Sequence, residues 1–461
     1  MTEHDAARRG ARAASARPVA AARRRVAMAA GSTTALVTAS LAGSALAFLS
    51  KEACRAGAWN THIGQFQSHC YTDIYPLYFT EGLSAGKVPY LGHPVEYPVL
   101  IGAAMQAAAW VVRPISDPLI RGREFFDVTT VALAVFALAA VLATACLAGR
   151  SRRWTALLVA LSPAVILAAF INWDVIAMSL TALGMAAWAA RRHALAGVLL
   201  GLAVATKFYP VFLFGPLFLL CLRAGRLRAF WPAAGSAALA WLAVNLPIAL
   251  AAPHGWSEFY RFNNSRAADW GSVWYFFDTE HWPGVGSVSV DTLNAVSLLL
   301  FAASCTAIGV LALAAPRRPR VPQLFFLTVA AFLLVNKVWS PQYVIWLAPL
   351  AVLARPRLTA YLLWQATEIG YFLAIWAYLI TIVTGTASAG GISQGLYFAA
   401  VLARFLAVLL LCGLVVRDVL HPAADVVRRD GDDDPAGGVL SGAPDRIALR
   451  RAAADPTPAT R

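Results

Sequence analysis

The chain has 461 residues, of which 59% are hydrophobic and only 13% charged, with a mean hydropathy of +0.62; soluble domains are about half apolar and about a quarter charged. That balance excludes an ordinary soluble domain, and the many apolar runs near ~20 residues predict an all-α, polytopic integral membrane protein. The formal net charge of +14 does not point to nucleic acid. The basic residues fall in short clusters between apolar runs: Arg23 to Arg25, Arg150 with Arg152 and Arg153, Arg191 and Arg192, Arg223 to Arg228, Arg317 to Arg320, and Arg355 with Arg357. This is the positive-inside pattern rather than a binding stripe.

Residues 1–25, rich in Ala and Arg, read as a disordered cytoplasmic tail. Val26 to Leu49 is an apolar stretch with a basic flank, and Ala45-Leu46-Ala47 resembles a signal-peptidase site. At roughly 24 residues it exceeds a signal-peptide core, so an uncleaved first span is expected. A first outer loop, 50–124, comes next. Within it Tyr97 to Val112 is apolar but short, and counting it as a crossing would invert the sign rule for every later loop. It is expected to lie on the outer face or dip into it.

With arginine clusters inside, the spans then run Phe125–Leu147, Trp154–Ile171, Val175–Ala190, Ala194–Thr206, Phe208–Leu222 and Phe230–Leu250. A second large outer loop occupies 251–290. Asp291–Ala315, Val321–Val335, Tyr343–Ala354, Leu358–Val383 and Gln394–Val416 bring the expectation to about twelve crossings within a membrane domain at 26–416. Residues 417–461 read as a second disordered cytoplasmic tail. Asp430-Gly431-Asp432 formally matches the Asp-x-Asp of metal–nucleotide sites, but in such a segment a solvated charge run is the expectation. No Cys-x-x-Cys or His-rich metal spacing occurs. Cys54 and Cys70 share the first outer loop, where a disulfide and two free thiols are both open.

On this topology the polar residues outside the arginine clusters gather on one side: Asp73, His93, Glu96, Asp174, Lys207, Arg261, Arg266, Asp269, His281 and Lys337. Lysine is scarce, with only Lys51, Lys87, Lys207 and Lys337, all outside those clusters. A secondary transporter would hold its polar site near mid-membrane between broken helices; a rim site suits chemistry on a lipid-linked head group. Each residue also has a plainer reading. Asp73 could cap a helix starting at Ile74 or Tyr75. Asp174 and Lys207 could complement helix dipoles, and His93 could be a solvated loop residue. Arg261 and Arg266 could snorkel among head groups. Within the spans, Glu368 and Arg404 are the main titratable residues.

An aspartate after the first span, a Tyr-Pro pair closing its loop, a Thr-Lys-Phe-Tyr-Pro turn at 206–210 and a Ser-Pro-Gln-Tyr turn at 340–343 together resemble glycosyltransferase family 87. These are the DUF2029-type, actinobacterial α-mannosyltransferase-like members of the GT-C superfamily. The resemblance spans most of 26–416. It implies a GT-C-like fold and an inverting hexosyltransferase acting on the outer face of the cell membrane. The donor would be a polyprenyl-phosphate sugar, typically mannose, and the acceptor a cell-envelope lipid or glycan, with no metal or other cofactor. Carried over, Asp73 would deprotonate or orient the acceptor hydroxyl. Lys207, Arg266 and Arg261 would hold the donor phosphate. Glu96, His93, Asp174, Tyr97, Asp269, Trp270 and Gln342 would contact sugar or acceptor. The turn from Asn336 to Tyr343 lacks the histidines that some family members carry, which puts a histidine base in doubt. A flippase of a lipid-linked sugar and a structural partner with degenerate catalytic residues are the alternatives.

Overall fold

A computed structural model describes residues 31–280 and 288–449. The expected N-terminal tail at 1–25 and His281 lie outside them. Among the described residues the chain is helical without strands. The numbered helices are α1 (Thr33–Leu49), α2 (Ile74–Thr80), α3 (Val99–Val112), α4 (Pro118–Leu147), α5 (Pro163–Ala168) and α6 (Asp174–Ala189). They continue with α7 (His193–Thr206), α8 (Phe214–Arg223), α9 (Leu227–Ala251), α10 (Pro253–Ser265) and α11 (Val273–Glu280). The last are α12 (Val290–Ala314), α13 (Val321–Val335), α14 (Val344–Ala354), α15 (Leu358–Thr384) and α16 (Gln394–Leu420). Among the described residues five, α4, α9, α12, α15 and α16, are long and apolar enough to cross a membrane, and seven shorter apolar helices accompany them.

One expected element differs. The run Trp154–Ile171 is not one helix. A short helix ends at Ala160, and Ser162 then caps α5, its hydroxyl accepting from the Val165 amide at 3.2 Å with Pro163 in the first turn. The expected loop helix at 97–112 is α3, whose 14 residues span about 21 Å. That is short of the roughly 30 Å apolar thickness of a bilayer. It packs against α4, α7 and α9. The tightest pairing is α7 on α9. A Cβ at Gly197 or Gly201 would lie 2.0 or 2.3 Å from the carbonyls of Ala233 and Ala237, so only glycine permits that approach.

The helices run between two chemically distinct ends. α7 starts after Arg192 and ends at Lys207, and α13 starts after Arg320 and ends at Asn336. α6 starts at Asp174 and leads to Arg191, and α14 leads from Tyr343 to Arg355. The arginine end is closed by the chain's own C-terminal segment, so the solvated tail expected from 417 does not hold for 417–449. α16 continues to Leu420, and the segment beyond it lies across the arginines. Asp430 and Asp432 both pair with Arg152, and Asp445 pairs with Arg223 and Arg318. The Asp434 carboxylate accepts from the Val321 amide at 2.8 Å, and Gly437 O accepts from Trp188 Nε1 at 3.0 Å. The charges that suggested solvation are instead satisfied by arginines on the helix ends.

The most enclosed of these contacts is Arg320 with Asp425, both 2% exposed at their side chains and 2.7 Å apart. Arg320 also donates to Leu353 O and Ala354 O at 2.9 and 2.7 Å. Removing one partner of a buried pair strands the other charge. Asp425→Ala is therefore expected to destabilise the protein by about 3–5 kcal/mol. Asp430→Ala, at a half-exposed carboxylate, is expected to cost under about 1 kcal/mol. Thermal unfolding in detergent separates the two, and equal effects would show that burial does not govern this contact.

Candidate active site

The other end of the bundle opens into a cavity of about 890 Å³. Its walls come from the first loop, the turns after α7 and α13, helices α10 and α12, and the C-terminal half of α15. Asp73 lies on its wall, immediately before α2. Its side chain does not cap that helix; Thr72 Oγ1 accepts from the Ile74 amide instead, at 3.2 Å. The Asp73 carboxylate is thereby free for tertiary contacts. Tyr71 Oη donates to Oδ1 at 2.7 Å and Tyr97 Oη to Oδ2 at 3.3 Å. The backbone is pinned from below, with the Asp73 amide donating to Ile171 O at 2.7 Å and Thr72 Oγ1 to Phe170 O at 2.7 Å. Burial pushes the Asp73 carboxyl up to about 6, against the pull of the Tyr71 hydrogen bond.

Lys207 leaves the end of α7 in an extended conformation and turns back into the bundle. Its ammonium lies 3.0 Å from Asp174 Oδ1, and Asp174 Oδ2 accepts from Trp346 Nε1 at 2.9 Å. The remaining donors of the ammonium face rings, with Tyr97, Tyr343 and Trp346 centroids 5.3, 5.5 and 5.7 Å away. Asp174 thus does more than start α6. Arg266 contacts Asp269 at 3.2 Å, and the Asp269 Oδ2 accepts from Ser340 Oγ at 3.2 Å. Lys337 is not a free cation at the rim; it donates to Asn264 O and Arg266 O at 3.1 and 2.6 Å, tying the α10–α11 link to the turn after α13. That turn is held from inside the bundle by Arg404, which pairs with Glu368 at 2.9 Å and donates to Trp339 O and Ser340 O.

The sequence-derived residues sort into three groups. Asp73, Glu96, Tyr97, Lys207, Arg266, Asp269, Trp270 and Gln342 line the cavity together. Asp174 sits behind it as the partner of Lys207. Arg261 and His93 are not among the lining residues. Arg261 is half-exposed on α10 and pairs with Glu258 at 2.7 Å, and His93 approaches Glu81 at 3.5 Å. Tyr71, Asn172, Tyr343 and Trp346 also belong to the cavity wall; Tyr343 closes the Ser-Pro-Gln-Tyr turn, whereas nothing in the sequence surroundings of the other three set them apart. Lys51 does carry a signal, the scarcity of lysine. It is fully buried, donates to Tyr71 O and Leu167 O at 3.0 and 3.2 Å, and burial pushes it down to about 7. The open question of Cys54 and Cys70 is answered: they form a disulfide that closes the segment ahead of Tyr71. Among the described residues no three His, Cys, Asp or Glu side chains converge as a metal ligand set.

Residues 118–336 match the family model of glycosyltransferase family 87. That match, over just under half of the chain, supports the family resemblance carried by the turns at 206–210 and 340–343. The match indicates glycosyltransferase activity, and the long apolar helices are those of a membrane protein by length and composition. The matched segment carries Asp174, Lys207, Arg266 and Asp269, whereas Asp73, Tyr71 and Glu96 lie N-terminal to it. No curated protein matches the chain.

The raised value at Asp73 has a thermodynamic sign. A carboxyl whose folded value exceeds its unfolded value holds its proton more tightly when folded, so stability is highest below the ordinary aspartate range and falls as pH rises to about 6. Asp73→Asn removes that penalty. Its melting temperature is expected to exceed wild type by about a few degrees at pH 8 and to equal it near pH 4. A variant melting lower than wild type at pH 8 would contradict the burial argument.

Proposed function

We propose that this glycosyltransferase moves a sugar, a mannosyl or related glycosyl unit, from a polyprenyl-phosphate donor to a hydroxyl of a cell-envelope lipid or glycan, on the outer face of the membrane. The observation that carries the reading is one cavity holding a carboxylate bonded by two tyrosines, two cations and an apolar slot. Phe208, Phe212, Phe301 and Phe332 line the slot, in which the Phe212, Phe301 and Phe332 rings pack with centroids 4.8 to 5.5 Å apart. Leu298 lines the same slot and is 67% exposed on the flank of α12, where a lipid tail would leave sideways into the bilayer.

In this reading the acceptor oxygen attacks the anomeric carbon as its proton passes to Asp73. The bond from that carbon to the phosphate oxygen breaks, and its electron pair leaves on the phosphate. A single displacement inverts the anomeric centre. Lys207 and Arg266 stabilise the charge that grows on the leaving phosphate. Lys207 commits one N–H to Asp174, which leaves others for an anion. Glu96, Asp269, Trp270 and Gln342 offer contacts to sugar hydroxyls, with Tyr97 at the carboxylate. Support for the outer face comes from the arginine clusters at the opposite end of the helices, since such clusters favour the cytoplasm. A GT-C-like bundle of about twelve crossings, with both termini cytoplasmic, completes the reading.

The test uses purified protein in vesicles with radiolabelled polyprenyl-phosphate mannose and envelope glycolipid extract. Asp73→Asn is expected to lower kcat by about 10²–10⁴, and Lys207→Ala to raise the donor KM at least about tenfold with acceptor KM unchanged. Asp73→Asn turnover near wild type would remove the base. Label that crosses the bilayer but stays on its carrier would replace transfer with flipping.

A further inference from the structure

Three near-parallel rings line the cavity beside Asp73, and none has a role in the donor contacts described above. Phe66 and Trp376 have centroids 6.0 Å apart at 8°, Tyr71 and Trp376 4.6 Å at 26°, and Phe66 and Tyr71 6.1 Å at 18°. Phe66 and Tyr71 are half-buried, while Trp376 is 3% exposed and backs them from α15. The two carboxylate oxygens of Asp73 divide the cavity. Oδ2 receives Tyr97, whose ring is 5.3 Å from the Lys207 ammonium, and Oδ1 receives Tyr71, whose ring belongs to this wall. The base therefore stands between the anion site and the aromatic wall, where an attacking hydroxyl has to be.

The wall is fixed in advance of any ligand. The Cys54–Cys70 disulfide closes its segment, the Cys70 amide donates to Gln65 O at 3.0 Å, and His69 makes the sharp turn with φ 52°. Lys51 anchors the Tyr71 carbonyl. Polar groups nearby await a partner. Asn172, 1% exposed, lines the same cavity, and its Nδ2 has no hydrogen-bond partner among the described residues; nor does the buried Nε1 of Trp376. A purely apolar ligand would leave both unsatisfied. A pyranose ring combines what the two halves need: a face of C–H groups that packs on the negative faces of aromatic rings, and hydroxyls at its edge.

We propose that Phe66, Tyr71 and Trp376 form the acceptor subsite, and that the acceptor is a pyranoside lying with its apolar face on this wall, one hydroxyl at Asp73 and another oxygen toward Asn172. The role of that ligand as acceptor rests on the transferase reading; the pyranoside site itself does not. Saturation-transfer NMR on the full chain in nanodiscs tests the site without donor, with octyl α-D-mannopyranoside and octyl β-D-glucopyranoside as probes and 1-O-octylglycerol as control. Irradiation of aromatic protons is expected to saturate the pyranose ring protons in wild type. That signal is expected to fall at least about fivefold in Phe66→Leu, which keeps an apolar side chain but removes the ring, and to persist in Lys207→Ala. Ring protons saturated equally in Phe66→Leu, or no more than the control's glycerol protons in wild type, would overturn the wall. In the transfer assay Phe66→Leu is expected to raise the pyranoside KM about tenfold with donor KM unchanged. Transfer with that KM within twofold of wild type would overturn the wall and leave the transferase reading standing. Pyranoside binding by a wild type that transfers nothing would do the reverse.

Discussion

An ammonium among apolar helices persists only where a carboxylate and a set of ring faces replace the water it has lost. Lys207 meets that condition through Asp174, and the pair organises the cavity end of the bundle. Lys207 terminates α7, Asp174 opens α6, and Trp346 of α14 completes the hydrogen bonding of the carboxylate. Three helices are therefore tied at one point, and a 3.0 Å contact fixes where the ammonium on the cavity floor can be. Tyr97 lies against the same ammonium while its hydroxyl reaches Asp73, so the ion pair also sets one side of the carboxylate. The separation of charge matters for chemistry. Burial brings the titration of Asp73 close to physiological pH, with the Lys207 charge among the groups that pull it back down.

Asp73 is held by contacts that are local on one side and distant on the other. Tyr71 is two residues away, whereas Tyr97, Phe170 and Ile171 come from separate segments. Tyr97 is itself placed by Tyr90, a buried residue with φ 69° whose hydroxyl lies 3.0 and 2.8 Å from the carbonyls of Tyr97 and Pro98. Such a left-handed tyrosine is costly and survives where surrounding contacts over-determine it. The strained residue is linked through Tyr97 to the carboxylate that the proposed chemistry uses. The first loop is therefore held from several distant segments, although it lies before the residues the family model matches.

Much of this was legible in the chain itself. Residue scarcity identified Lys207, and the position of Asp73 after the first apolar stretch identified the carboxylate, because charged groups beside lipid are expensive. Long apolar helices such as α12, α15 and α16 were found within a few residues of their ends, since composition alone decides them. The limits were equally physical. Periodicity could not show that Pro163 would start a separate helix, as proline is compatible with both a kink and a first turn. Arg261 and Arg266 stand five residues apart in one aromatic segment, and only the end of α10 at Ser265 decides that Arg266 turns toward the cavity while Arg261 stays on the helix surface. Tyr71, Asn172 and Trp376 became visible only when distant segments met, and an aromatic residue in a membrane protein carries no mark of such a meeting.

The C-terminal segment was misread for a reason that bears on the arginine pattern itself. Its composition, with Asp430, Asp432, Asp433 and Asp434 among glycine, proline and alanine, is that of a chain too polar to build a core alone. It does not need one. The helix ends already present buried guanidinium groups whose charge has to be met, and the aspartates meet it: Arg320 and Arg223 each combine a carboxylate with helix C-terminal carbonyls. Because synthesis runs from the N-terminus, those arginines are unpaired while the helices before them are being inserted, and the aspartates arrive last. The same side chains can thus act as unpaired positive charges during insertion and as buried ion-pair partners afterwards. Internal neutralisation in the finished fold is for that reason no argument against reading the arginine clusters as a record of how the helices were oriented.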